Sequence, residues 1–395
     1  MLRSARIRRF RSCGDVTLAD LAPVTALLGR NGAGKSNILR ALDWAARHAS
    51  GGSTPDALFD DEGWSDGVSV ELQFTIETTD YRYTIARDLK WKPQPEFTWH
   101  EDLESLGGRG RAKKLLLRRK GAMVDARGLA KAPLSIALNT PALGALLSLF
   151  PDAPESEPFS LVRGYLGHFR YYPLDEPERV ALSDRFGFIK DDDYKKWRAE
   201  AGAAVGGALS VPMRMLQLSI EAPDVLAEVK HLLGKNGLDV VADITIDKHD
   251  ETTFGFGVPV YSMSFRPSSF LEGTSSTISY ADLSRGTRRL VRLLLGLVAD
   301  GSSVMLIEQP EDAIHPGLLS KVIDLLKEYS DKRNIIVASH SPIVMNALPP
   351  EAIRLVTLSE GQTVARQLTP TERDVARDFI EDEGQLSDFI ESVEN

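Results

Sequence analysis

Gly29-Arg30-Asn31-Gly32-Ala33-Gly34-Lys35-Ser36 is the stretch whose reading decides the fold. It matches G-x-x-x-x-G-K-[ST], the loop pattern that cradles phosphate. Before it, Val24-Thr25-Ala26-Leu27-Leu28 is an apolar run of strand length. After it, Asn37 to Ala49 sets Ile38, Leu39, Leu42, Ala45, Ala46 and Ala49 on one helical face. Strand, glycine loop and helix together are the context the motif requires. The glycines let backbone N–H groups turn inward, and the helix N-terminus adds its partial positive charge. In this pattern Lys35 reaches the β- and γ-phosphates of a nucleotide, and the Ser36 hydroxyl binds Mg²⁺.

Composition bounds the rest. A chain of 395 residues holds two or three domains, or one large core with an insertion. Hydrophobic residues at 43% predict a packed core. The longest apolar run, Leu290 to Val298, is broken by Arg292, so no membrane span is expected. Met1-Leu2-Arg3-Ser4-Ala5-Arg6 leads into no apolar signal segment. The single Cys13 excludes an internal disulfide framework and a cysteine zinc site. These features predict a cytoplasmic protein without a membrane partner. A net charge of −9 argues against general DNA coating. Two basic clusters stand out nonetheless: Arg3, Arg6, Arg8, Arg9 and Arg11, then Arg109, Arg111, Lys113, Lys114, Arg118, Arg119 and Lys120. Each reads as a solvated basic face, with a local DNA contact as the alternative.

Along the chain, Ala5 to Phe10 and Val16 to Leu18 read as strands. Residues 50–67 read as an exposed loop. Val68 to Arg87 alternates as a hairpin turning at Thr78-Thr79-Asp80, an antiparallel sheet with one buried face. Residues 88–210 are irregular and read as a mainly helical insertion, with helices at Leu143 to Phe150 and Tyr194 to Leu209. Pro212 to Leu233 reads as helix, Leu238 to Ile246 and Phe254 to Phe265 as strands, and Arg288 to Val298 as an apolar helix. Val304 to Ile307 and Ile335 to Ala338 are buried strands flanking a helix over Pro316 to Glu328. A hairpin, Ile353 to Leu368, precedes an acidic tail from Glu372. No sustained heptads or internal repeats are visible.

A P-loop also needs an acidic residue for the metal shell and a group to orient the attacking water, at the carboxyl edge of a parallel sheet. Glu308 after Val304 to Ile307 suits the first role, Gln309 occupies the general-base position, and His340 ends the next strand beside the expected γ-phosphate.

In this order Lys35-Ser36, Leu283-Ser284-Arg285-Gly286-Thr287, Ile307-Glu308-Gln309-Pro310-Glu311-Asp312-Ala313-Ile314-His315-Pro316 and Ala338-Ser339-His340-Ser341-Pro342 resemble the motifs of ABC-type, AAA-family ATPases. More narrowly the chain resembles the SMC/RecF/OLD-like group, through Phe10-Arg11-Ser12, the E-P-E-x-x-[IL]-H-P ending and the S-H-S-P switch. The resemblance covers about residues 1–87 and 211–358. It implies an α/β fold: a P-loop ABC-type head with a parallel core sheet and an antiparallel β subdomain. Its halves would be 1–87 and 211–358, with the mainly helical insertion at 88–210 and a hairpin end and acidic tail at 359–395. It further implies ATP with Mg²⁺ held by Ser36 and Glu308. Arg11, Ser12, Arg30, Asn31, Gly32, Ala33, Gly34 and Asn37 would lie at the nucleotide, and His340 would act as the switch. Two heads would sandwich two ATPs, with Ser284, Arg285 and Gly286 of one copy closing on the P-loop of the other. The family's glutamine-containing metal loop has no secure position here; Gln73 and Gln94 are the candidates.

The resemblance further implies a switch in anti-phage or plasmid defence or in DNA repair, driving a separate nuclease or toxin. With 55 residues following His340 in this sequence, no nuclease domain is expected after the switch histidine. The rival readings are a DNA clamp and a transporter ATPase subunit. The main departure is Gln309, where the family pattern has a carboxylate. A carboxamide keeps shape and hydrogen bonding but accepts no proton. Two explanations stand: an introduced Glu-to-Gln exchange that traps ATP, or a natural weak ATPase.

Overall fold

The computed structural model describes residues 1–51, 67–91, 95–107, 113–138, 140–173, 187–201, 210–255, 257–268, 276–381 and 384–394. The loop expected at 50–67, the residues 202–209 expected as helix, Arg109, Arg111 and Gln94 therefore fall wholly or largely outside the described residues.

The N-terminal stretch gives β1 (Leu2–Phe10), β2 (Cys13–Leu18), β3 (Val24–Leu28), α1 (Lys35–Ser50), β4 (Gly67–Ile76), β5 (Thr79–Trp91), β6 (Pro95–Ser105), β7 (Lys114–Lys120), β8 (Met123–Ala126), β9 (Leu134–Ser135), α2 (Ala142–Leu149), α3 (Glu157–Gly167) and β10 (Phe169–Tyr172). There follow β11 (Phe188–Lys190), α4 (Asp191–Ala201), α5 (Val211–Glu221), α6 (Pro223–Leu233), β12 (Val241–His249), β13 (Val260–Pro267) and α7 (Arg285–Ala299). The chain ends with β14 (Val304–Glu308), α8 (Pro316–Glu328), β15 (Asn334–Ser339), α9 (Pro342–Asn346), β16 (Ile353–Ser359), β17 (Gln362–Gln367), α10 (Pro370–Glu381) and α11 (Leu386–Glu394).

Two compact units result. The first comprises residues 1–173, 303–310 and 326–395 and holds a sheet ordered β10-β14-β15-β3-β16-β17-β2-β1-β4-β5-β6-β7-β8-β9. From β10 to β16 every pairing is parallel. Strands β3, β14 and β15 are buried at every residue, as parallel strands covered on both faces must be. From β2 through β1 to β9 the pairing is antiparallel, and β1 alternates buried Leu2, Ala5, Ile7 and Phe10 with exposed arginines. The antiparallel strands are not a separate sheet: Thr363 of β17 pairs in parallel with Cys13 of β2 and joins the two parts. Helix α1 lies on the core strands and packs against α2 and α3.

The segment expected as a helical insertion from residue 88 is of mixed structure. Residues 95–135 add β6 to β9 to the antiparallel sheet, with buried Leu103, Leu117 and Val124 on its inner face. Helices α2 and α3 then lead to β10, an edge strand of the parallel core. The basic run conceals this in the sequence, because its residues have separate fates. Arg118 pairs with Asp102 and Lys113 with Glu104 on the outer face, whereas Arg119 points inward and is buried. The acidic tail is two amphipathic helices, anchored through Ala376, Leu386, Phe389 and Ile390.

The second unit comprises residues 174–302 and 311–325. It holds the sheet β11-β13-β12, which is antiparallel, and α6 packs on both α7 and β12. The helix expected over Pro212 to Leu233 is broken at Ala222, at φ −148° and ψ 66°. Pro223 supplies no N–H and keeps the residue before it out of helical geometry.

Buried Arg119 ties the first unit together. It donates to Glu101 Oε1 at 2.5 Å and to the carbonyls of Gly121, Leu138 and Thr140. Glu101 also accepts from the Tyr83 hydroxyl at 2.9 Å and the Ala142 N–H at 3.1 Å, with His48 Nε2 of α1 at 3.8 Å. Burial by itself raises the Glu101 carboxyl; His48 and Arg119 outweigh it and hold the group below the ordinary carboxylate range. One ion pair thus joins β5, β6, β7, the start of α2 and the end of α1.

Glu101→Ala would strand a buried guanidinium, and we expect a loss of about 3–5 kcal/mol in urea unfolding. Asp15→Asn, which breaks only half-exposed pairs with Arg6 and Arg8, should change stability by less than about 1 kcal/mol. Because the native Glu101 pKa is depressed, its contribution is complete above the unfolded value of about 4.3 and is lost as pH falls through the native one. Wild-type stability should therefore fall more steeply below about pH 4 than that of Glu101→Ala; parallel curves would refute the ionised pair.

Candidate functional site

Register places the site. Leu28, the last residue of β3, lies opposite Ser339 at the end of β15, and Ala338 lies opposite Glu308 at the end of β14. Tyr172 ends β10 opposite Ile307. Parallel pairing therefore sends the loop at Gly29, the Glu308-Gln309 step, the Ser339-His340 step and the end of β10 to one carboxyl edge, where open α/β sheets bind ligands.

The loop is shaped by its glycines. A Cβ at Gly29 would stand 2.0 Å from the Val356 carbonyl oxygen of β16, so the backbones approach too closely for any side chain. Gly32 and Gly34 have φ of 82° and 95°, in the left-handed region that favours glycine. Gly34 is the N-cap of α1 and offers no side-chain acceptor to its first turn. The positive end of the helix therefore has no side-chain cap, and such an end favours an anion. Lys35 is buried, and its Nζ donates to Gly29 O at 2.6 Å and Arg30 O at 2.9 Å, closing the loop on itself. Arg30, Asn31 and Gly32 form the exposed crest.

Arg11 and Ser12 make the two-residue turn between β1 and β2. Ser12 accepts from Asn37 Nδ2 at 2.8 Å and shares a 2.7 Å hydrogen bond with Thr363 Oγ1. Glu308 is buried at its strand end. The Tyr171 hydroxyl reaches it from β10 and accepts from Arg40 Nε at 3.3 Å. Burial first, and then the Glu308 carboxylate, push the Tyr171 phenol well above its ordinary pKa. Gln309 is half-buried, has φ 39°, and donates its N–H to Ala338 O at 2.7 Å. His340 is exposed at the end of β15.

Ser284, Arg285 and Gly286 lie in the second unit. Ser284 is the N-cap of α7 and accepts from Thr287 N–H at 3.1 Å. A Cβ on Gly286 would stand 2.1 Å from Ala313 O, so this residue must be small. Arg285 pairs with Asp312 at 3.0 Å, and Arg289 meets the same carboxylate at 3.5 Å.

The donor set fits a magnesium nucleotide. Among the described residues no group of three or more His, Cys, Asp or Glu side chains gathers to hold an ion. Ser36 and Glu308 alone would leave a shell for phosphate oxygens and water, and Mg²⁺ is bound in that way at phosphate-transfer sites. Sequence reasoning missed Tyr171 and Thr363. Tyr171 needed recognition of β10 as a core strand, a short run with no glycine loop to mark it. Thr363 carries no local signal.

A protein-family profile described as "AAA domain, putative AbiEii toxin, Type IV TA system" matches residues 24–122 and 231–346, more than half of the chain. The match includes Lys35, Ser284, Glu308, Gln309 and His340. The "OLD nuclease" of Thermus scotoductus (strain ATCC 700910 / SA-01) is 23% identical over 410 aligned residues, covering 100% of this chain and 69% of that protein. Among solved structures, the crystal structure of the SmcHead bound to the C-winged helix domain of ScpA aligns with a TM-score of 0.51 at 14% identity, covering 95% of this chain and 99% of that one. At that identity the likeness is one of fold.

The glycine contacts separate two kinds of damage. Gly29→Ala must displace the Val356 carbonyl and should cost about 2 kcal/mol or more in thermal unfolding. Gly32→Ala meets nothing within 4 Å, so only the left-handed backbone resists it, at about 1–2 kcal/mol. Equal melting temperatures for the two variants would contradict the close approach at Gly29.

Proposed function

Because the chain belongs to this AAA-domain family, we propose that it is a Mg²⁺-dependent ATPase head that dimerises on ATP and switches a separate effector. It is an ATPase of the AAA, SMC and OLD type. The observation that carries the fuller proposal is the shared carboxyl edge, where the loop ending in Lys35-Ser36, Glu308, Gln309 and His340 leave three strands paired in register.

Each residue then has a task. N–H groups from Gly32 to Ser36 donate to phosphate oxygens, and Lys35 leaves its two carbonyl partners to reach the β- and γ-phosphates. Mg²⁺, when bound with the nucleotide, would supply neutralisation of the phosphate charge. Ser36 and Glu308 would supply its protein contacts, with the Tyr171 hydroxyl beside the Glu308 carboxylate and Arg40 donating to that hydroxyl. His340 donates toward the γ-phosphate or the attacking water. Gln309 orients that water and takes no proton from it. Binding without efficient turnover follows.

A second copy completes the site. Ser284 begins a helix at an exposed N-terminal turn, which favours an anion from outside its own chain. ATP bound at one P-loop would meet Ser284 and Gly286 of the other copy and join the two, and hydrolysis would part them. The family description includes a toxin of a toxin–antitoxin system, and a relative is named a nuclease. Both names favour coupling of the ATPase head to a toxin or nuclease as its effector. A DNA clamp is less favoured, since Arg6, Arg8, Arg82, Lys113 and Arg118 each face an acidic partner across the antiparallel sheet.

Size-exclusion chromatography tests the sandwich. Saturating ATP with Mg²⁺ should convert monomer to dimer, and Ser284→Glu should block that shift while the variant still binds ATP as a monomer, more weakly by the lost coupling. A wild-type monomer at saturating nucleotide would overturn the dimer. Gln309→Glu restores a proton acceptor and should raise kcat by about 10²-fold or more, measured as phosphate release. No gain would place the limit elsewhere than at residue 309.

A further inference from the structure

We propose that Thr363 is a positioning residue for nucleotide binding: a buried hydroxyl on the C-terminal hairpin that sets the Ala33–Gly34 peptide of the phosphate loop. This rests on the ATPase reading and adds to it a residue more than 300 positions from the loop it would control.

Hydrogen-bond direction carries the inference. Thr363 is buried in β17. Its N–H donates to Ser12 O at 2.7 Å, and its Oγ1 donates to Ala33 O at 2.9 Å. A hydroxyl has one proton, so in the 2.7 Å contact with Ser12 Oγ the threonine must accept and the serine donate. Ser12 Oγ in turn accepts from Asn37 Nδ2 at 2.8 Å. The order is fixed: Asn37 amide to Ser12 hydroxyl to Thr363 hydroxyl to Ala33 carbonyl. A trans peptide is planar, with C=O and N–H pointing opposite ways. Holding the Ala33 carbonyl toward Thr363 aims the Gly34 N–H away from it, at the start of α1. The Ser12 proton is committed to this chain, so Ser12 acts on the loop rather than as a free donor to phosphate.

Two further observations agree. A Cβ on Gly34 would stand 1.9 Å from Thr363 Oγ1 and 2.7 Å from Ser12 Oγ, so the glycine is packed directly onto the relay. Arg11, beside Ser12, sits at φ 52°, as the first position of a tight two-residue hairpin turn requires, and that turn fixes where Ser12 is presented to Thr363.

Affinity for ATP with Mg²⁺, read by calorimetry, tests the idea. Thr363→Val keeps shape and loses the hydroxyl; its Kd should rise about tenfold or more. Thr363→Ser keeps the hydroxyl and should stay within about threefold of wild type. Ser12→Ala should also weaken binding, non-additively with Thr363→Val, because both act through one chain. A folded Thr363→Val with wild-type Kd, or additive losses in the double variant, overturns the proposal. Should Thr363→Val not fold, Ser12→Ala carries the test, and a wild-type Kd there is the refuting result. A wild-type chain that binds no ATP would instead refute the ATPase reading itself.

Discussion

Parallel pairing of β3, β15 and β14 is the constraint on which the rest depends. Each strand is buried on both faces, so its register is held by close packing as well as by hydrogen bonds. With Leu28 opposite Ser339 and Ala338 opposite Glu308, three loops from distant parts of the chain leave at one edge. A slip of one residue in β14 would turn Glu308 to the other face of the sheet and separate it from the phosphate loop. The site is thus a consequence of strand register, and the loops need little structure of their own to form it.

The same constraint explains what could be read in the sequence. The glycine loop, β3, α1, β14, β15 and the helix at Pro316–Glu328 each declare themselves locally, by motif, by short fully apolar runs or by helical periodicity. What was illegible is non-local. Strand β10 is four residues, Phe169 to Tyr172, recognisable as core only by its pairing with β14. Strands β6 to β9 were hidden because Arg118 and Arg119, adjacent in sequence, point to opposite faces of one strand. One pairs at the surface and the other is buried against Glu101. Composition averages the two into a basic cluster, whereas the pleat separates them.

Arg285 shows the same limit from another side. Its position in the sequence beside a helix N-terminus gives no sign of its partner, the carboxylate of Asp312 from the loop that follows β14. Asp312 and Ala313 meet the first turn of α7, through ion pairs and through the space left by Gly286. The residues after Glu308-Gln309 therefore serve two ends. Glu308 and Gln309 stand at the carboxyl edge of β14, and Asp312 and Ala313 brace the first turn of α7.

Gln309 separates two properties that such a site usually couples. Its backbone is held firmly, with φ 39° and its N–H bonded to Ala338 O, so its side chain starts from a fixed point. Lys35, Ser36, Glu308 and His340 are arranged around the same edge whatever residue stands at 309, because strand register places them. On the proposed reading, a carboxamide at 309 would remove one chemical step and none of the binding geometry. If ATP joins two copies and hydrolysis parts them, a carboxamide here favours the joined state in proportion to the slowed turnover. Lifetime of the dimer, rather than affinity for ATP, is then the quantity residue 309 sets.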